Sequence, residues 1–123
     1  MPTFDLDQNR SLFQIKAYKP GCIQINDEII RKSIVISPNQ LIKNWAPQSA
    51  DQLTSTDLNL LVPFKPDILL IGTGEKMVIL PIEMYGALIN YGIGVEVMNT
   101  SAACRTFNAL SAEDRNVVAA LIV

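Results

Sequence analysis

Gly72-Thr73-Gly74 directly follows an apolar run, and Glu96 stands 22 positions beyond Gly74. That is about the distance at which a dinucleotide-binding fold places its ribose carboxylate. The match ends there, because Met77 takes the place of the fingerprint's third glycine and further apolar residues follow where a helix N-terminus would meet the pyrophosphate. No Gly-Lys-Ser/Thr follows either, so the phosphate loop of the ATPases is missing. The plainer reading is two glycines that turn the chain after a buried strand. Cys104 and Arg105 fall in the first turns of a predicted helix, where the helix dipole and the guanidinium would favour a thiolate. With no histidine to act as base, a small packed thiol between Ala103 and Phe107 is the favoured reading. Glu83 and Glu96 would form a carboxylate pair only if the fold brought them together, and otherwise they are solvated charges. Arg105, close to Asn108 and ahead of Glu113 and Asp114, either anchors an acidic ligand or braces neighbouring helices through a salt bridge.

The composition excludes several classes outright. Without histidine there is no imidazole-based triad and no His-ligated zinc, iron or copper site. Cys22 and Cys104 lie 82 positions apart with no Cys-x-x-Cys, so no metal and no cofactor is expected, and both thiols read as reduced and structural. Ten Lys and Arg scattered among twelve Asp and Glu give a net charge of -2, which lacks the basic footprint of a nucleic-acid binder. The longest uncharged apolar stretch, Met84 to Val95, is broken by Asn90 and falls short of the roughly 20 residues that a spanning helix needs. Direct membrane insertion is therefore not expected. Met1 to Arg10 has no apolar run and is not Arg-rich, so it resembles neither a secretory signal nor a transit peptide, and the reading is cytoplasmic. At 123 residues, 49% apolar and 18% charged, the chain fits one folded domain over 1–123.

The elements that must position these residues follow from periodicity. Phe13, Ile15 and Ala17 alternate with Gln14 and Lys16, Pro20-Gly21 turns the chain, and Cys22 to Ile25 alternates again before Asn26-Asp27. Ile29 to Ile36 reads as a third strand and Leu41 to Trp45 as a short fourth, which makes the N-terminal part an antiparallel meander. Residues 48–56 are polar and form a loop, with Thr56 able to cap a short helix over Asp57 to Val62. Asp67 to Ile71 has no alternation, as expected for a central strand covered on both faces. Met77 to Leu80 is a shorter apolar run, and Pro81 suits the first turn of a helix with Met84, Leu88 and Tyr91 on one face, ended by Gly92. Ile93 to Met98 follows as another buried strand, and strand, helix and strand in this order predict a right-handed parallel crossover. Thr100 is a good N-cap for a helix carrying Ala103, Phe107 and Leu110, and Ser111 with Asp114 predicts a second short helix in series. Val117 to Val123 is either the last strand or the end of a buried helix.

Four blocks then carry a resemblance: Pro66 through Gly74, Leu80-Pro81, Gly92 through Met98, and Thr100 with Ala103 through Asn108, to which Trp45 can be added. In order and spacing they resemble the Mth938-like family, also called DUF498. The resemblance implies a single three-layer α/β domain with a central mixed sheet, built from an N-terminal antiparallel meander and a C-terminal βαβ unit. It implies no established enzyme activity, and its eukaryotic relatives include a mitochondrial assembly factor for respiratory complex I. A non-catalytic, protein-binding accessory domain is the resulting expectation, aiding assembly of a membrane or respiratory complex with an unidentified protein partner. The alternative is a small-ligand protein or weak oxidoreductase using a cleft near the glycine turns, and a homo-oligomer is compatible with either. Binding in an α/β sheet tends to occur beyond the carboxyl ends of its strands. Thr73, Gly74, Asn99 and Arg105 are accordingly the candidate binding residues, expected to border one depression; no catalytic residue is assigned.

Overall fold

A computed structural model describes residues 12–123, so the reading of Met1 to Arg10 lies outside the described residues. Three strands, β1 (Ile15–Lys19), β2 (Cys22–Ile25) and β3 (Glu28–Ile30), form an antiparallel meander in that order. Gly21 and Asn26 take the left-handed backbone at the two turns, with φ of 93° and 54°. The meander stops earlier than the periodicity implied. Arg31 and Lys32 are exposed and Ser33 is buried, and this segment carries the chain from Ile30 in one sheet to Ile34 in the other, both isoleucines packing in the same core. The expected strand Ile29 to Ile36 is therefore two strands. Its second half, β4 (Ile34–Ser37), forms a hairpin with β5 (Gln40–Ile42), and Trp45 lies beyond it in a loop.

The second sheet has five strands in the order β5-β4-β8-β6-β7, with β6 at Ile68–Gly72, β7 at Gly94–Met98 and β8 at Val117–Leu121. β6 pairs parallel with both β7 and β8, while β4 pairs antiparallel with β8. The middle strand is thus β8, with β6 beside it. Both lack alternation because both are buried on two faces: Leu70, Val117, Ala119 and Leu121 enter one core, and Leu69, Ile71, Val118 and Ala120 the other. β7 is an edge strand whose residues are half-buried or exposed, which corrects the expectation of a buried strand.

Among the described residues, three α-helices complete the layers. α1 (Ser55–Asn59) is capped by Thr54 rather than Thr56: the Thr54 hydroxyl accepts from the Asp57 amide while the Asp57 carboxylate accepts from the Thr54 amide. A 3-10 turn at Val62–Phe64 contains Pro63 and follows directly. α2 (Ile82–Asn90) starts after Pro81 and ends at Gly92, whose φ is 85°. Leu88 is its buried residue, whereas Tyr91 lies past the last turn and is exposed. α3 (Thr100–Ala112) is one continuous helix, because Ser111 is buried on its inner face and the chain turns only at Asp114, with φ 63°. One core lies between the five-stranded sheet and α3 with the meander, and the second between the opposite sheet face and α1 with α2. The order is three layers with a mixed sheet in the middle.

Candidate functional site

The carboxyl ends of β6 and β7 lie side by side, because Gly72 pairs with Met98 in register. Thr73 continues this pairing, its amide donating to the Met98 carbonyl at 2.9 Å. The Thr73 hydroxyl donates to the Lys76 carbonyl at 2.7 Å and accepts from the Val78 amide at 3.1 Å, so one buried threonine fixes the start of the following loop. Gly74, with φ of 104°, donates its amide to the Thr100 hydroxyl at 2.8 Å, and Thr100 returns its amide to the Gly74 carbonyl at 2.9 Å. The Thr100 hydroxyl then donates to the Ile122 carbonyl at 2.6 Å. Thr100 is fully buried and sits at the first helical position, joining β6, β8 and α3 through one oxygen. The helix cap expected of it belongs to Asn99, whose side chain accepts from the Ala102 amide at 2.8 Å.

The structure therefore gathers Thr73, Gly74 and Asn99 around the Met98-to-Thr100 junction. Arg105 is exposed one turn further along α3, where it donates to the Ser101 hydroxyl at 2.8 Å. The expected brace between two helices has no second helix to act on. The amides a ligand would use at the glycine turn, those of Thr73, Gly74 and Val78, are all engaged within the chain. α2 begins only at Ile82, so the helix that follows the glycines in sequence does not start at the turn as the dinucleotide fingerprint requires, and the N-terminus that does meet the turn is that of α3, whose Thr100 amide is given to the Gly74 carbonyl. Glu83 belongs to α2 on one side of the sheet, and Glu96 alternates with Val95 and Val97, which pack toward that side, so the two carboxylates occupy opposite faces. Among the described residues no three His, Cys, Asp or Glu side chains converge to hold a metal, and no helix is long and apolar enough to cross a membrane.

Both cysteines are free, Cys22 half-buried and Cys104 buried. Burial pushes the Cys104 thiol up to about 12, and the neighbouring Arg105 guanidinium only partly opposes this. The thiol is protonated at neutral pH and serves as a packing group. Iodoacetamide at pH 8 is expected to modify Cys22 in the native chain and to reach Cys104 only after urea is added, as mass mapping would show. The Cys104 pKa is raised above its ordinary value near 9, so the folded chain retains a proton that the unfolded chain gives up. This contribution to stability is complete below about pH 9 and is lost as pH rises toward 12.

Two features escaped the sequence reading. Asn108 reaches from α3 to the first strand, donating to the Ile15 carbonyl at 2.7 Å and accepting from its amide at 3.2 Å, which pins the meander to the helix. More consequential is the run after Gly74. Met77 is 52% exposed, Ile79 85% and Ile82 54%, and Val78 is also exposed, while Leu80 alone reaches the core. The available signal is a run of four consecutive apolar residues, Met77 to Leu80, bounded by Glu75-Lys76 and Pro81 and without the alternation of a half-buried strand.

A family described as "Protein of unknown function (DUF498/DUF598)" matches residues 15–122. A protein of Francisella tularensis subsp. holarctica (strain LVS) named "13 kDa major membrane protein" is 30% identical over 108 residues, covering 87% of this chain and 88% of that one. The Danio rerio protein named "NADH dehydrogenase (ubiquinone) 1 alpha subcomplex assembly factor 3" is 34% identical over 110 residues, 88% of this chain. This chain spans 63% of the zebrafish protein's length and 59% of the human protein of the same name. Among solved structures, a Bordetella parapertussis protein superimposes with a TM-score of 0.84 at 36% identity, covering 90% of this chain and 95% of that one. A Bordetella pertussis protein described as a Mth938-like domain gives a TM-score of 0.80 at 27% identity, covering 98% and 89%.

Proposed function

The chain belongs to the DUF498/DUF598 family, and from that premise we propose that it is a non-catalytic accessory domain that binds another protein during assembly of a membrane or respiratory complex. The observation that carries this reading is the exposure of Met77, Val78, Ile79 and Ile82 in the loop that leads into α2. Large apolar side chains grouped on one surface mark an interaction site. The run is also held in place before any partner arrives, since the Thr73 hydroxyl bonds both the Lys76 carbonyl and the Val78 amide. A preformed loop loses less conformational freedom on binding than a loose one. Relatives named as assembly factors support the same reading. Thr73 and Gly74 are buried and hold the loop from within, which leaves Asn99 and Arg105 as the polar groups of the candidate site open to a partner, Arg105 as its exposed cation.

Affinity capture from native extract, read by mass spectrometry, tests the proposal. Wild-type chain is expected to retain subunits of one multi-subunit membrane complex, and Ile79→Asp to lower their recovery about tenfold or more, with an unchanged unfolding midpoint. Arg105→Glu should weaken recovery by a smaller factor. Equal recovery by the wild type and Ile79→Asp would remove the loop as the contact. The relative named as a membrane protein favours a second reading, in which the same loop rests against lipid. Co-sedimentation with phosphatidylcholine vesicles, lost in Ile79→Asp, would select it.

A further inference from the structure

β7 closes one end of the five-stranded sheet, and among the described residues nothing pairs with its outer side. The direction of its backbone groups follows from two hydrogen bonds: the Gly94 amide donates to Asp67, and the Met98 carbonyl accepts from Thr73. Both bonds run toward β6. Peptide groups alternate direction along a strand, so those of Gly94, Glu96 and Met98 face inward and those of Val95 and Val97 face out. Two amides and two carbonyls are thus presented in line at an open edge.

The side chains say what such an edge would accept. Val95 and Val97 are half-buried and pack toward α2, while Glu96 is exposed on the opposite face, with no ion-pair partner among the described residues. A second copy of this chain is a poor occupant. The antiparallel register that pairs both valines with their counterparts is centred on Glu96, and it sets Glu96 against Glu96 of the other copy. That is a non-hydrogen-bonded pair, in which side chains approach most closely and like charges repel. The strand is guarded against itself in the way edge strands commonly are.

We infer that β7 is a docking edge for an extended segment of a partner protein with the pattern apolar, basic, apolar, added antiparallel to the sheet. The two apolar side chains lie beside Val95 and Val97 under the flank of α2, and the basic one meets Glu96. Backbone hydrogen bonds supply the attachment and the alternating side chains the selectivity, as in other cases of strand addition. This surface uses different residues from the Met77-to-Ile82 loop, so either proposal can fail without the other.

Amide hydrogen exchange measured by NMR with capped synthetic peptides tests it. Millimolar Ser-Val-Lys-Val-Ser is expected to slow exchange at Val95 and Val97, and Ser-Val-Glu-Val-Ser to bind about fivefold more weakly, the difference between an opposite and a like charge across a strand pair. Glu96→Lys should reverse that preference. Val97→Pro removes only an outward-facing amide, a place where an edge strand tolerates proline, and should abolish protection by either peptide. Absence of protection by both peptides, equal protection by both in the wild type, or Val95 and Val97 amides already protected in the free chain would each overturn the inference.

Discussion

Thr100→Val is expected to lower the unfolding free energy by about 2–4 kcal/mol, the cost of leaving two buried backbone groups without a partner. The substitution keeps the shape of the side chain and removes only its oxygen. That oxygen accepts from the Gly74 amide and donates to the Ile122 carbonyl, and no water reaches it because Thr100 is fully buried. A methyl group in its place offers neither bond. Thr100→Ser restores both bonds and should recover most of the loss, less a smaller amount for the missing methyl. Urea unfolding followed by circular dichroism would show the midpoint fall in the valine variant with the slope unchanged. A valine variant within about 0.5 kcal/mol of wild type would mean that the oxygen does not tie the strands to the helix.

Gly72→Ala is expected to destabilise the chain by about 1–3 kcal/mol through overpacking. A Cβ at this position would stand 2.8 Å from the Thr100 hydroxyl, 2.9 Å from Leu121 Cδ2 and 3.1 Å from Thr100 Cα. The leucine can turn away, but the backbone at Thr100 is held by its bond to Gly74 and has nowhere to move. Gly86→Ala is the matching control. Gly86 lies within α2 with open space around the position a Cβ would take, so the added methyl should stabilise by about 0.5–1 kcal/mol from helix propensity alone. Opposite shifts of the thermal midpoint in the two variants would separate close approach from backbone freedom as the reason for each glycine.

Periodicity and turn chemistry made most elements legible, since each rests on neighbours in sequence. The two hairpin turns at Gly21 and Asn26, the helix carrying Leu88, and the parallel pairing of β6 with β7 all came from local patterns. What local pattern leaves undetermined is which of two similar residues a distant segment will claim. Asn99 and Thr100 are both good caps, and the choice falls to Asn99 because β8 supplies the Ile122 carbonyl that draws Thr100 inward. β6 and β8 share an unbroken apolar run, so only long-range pairing puts β8 in the middle. Thr54 and Asp57 form the capping box at a spacing the sequence displays, a pairing that Thr56 lacks. At the candidate site, the rule about strand ends points to Thr73, Gly74 and Asn99 as neighbours of the β6 and β7 ends. Their internal hydrogen bonds, and the outward turn of Ile79, depend on contacts that composition does not encode.

The position of β8 also governs when the protein can become whole during synthesis. The β4–β5 hairpin and the β6–β7 pair are made earlier, yet they do not pair with each other; β8 is the strip that joins them, and it follows every other described element. A nascent chain therefore emerges as two half-sheets with apolar flanks uncovered, and neither has its lasting neighbour until Leu121 has cleared the ribosome. At synthesis rates of about 5–20 residues per second this interval lasts seconds, long enough for a ribosome-bound chaperone to matter. With an added C-terminal linker that fills the ribosomal exit tunnel, stalled chains truncated before Val117 should be cleaved readily by protease and those that include Leu121 should resist, with a sharp change between the two.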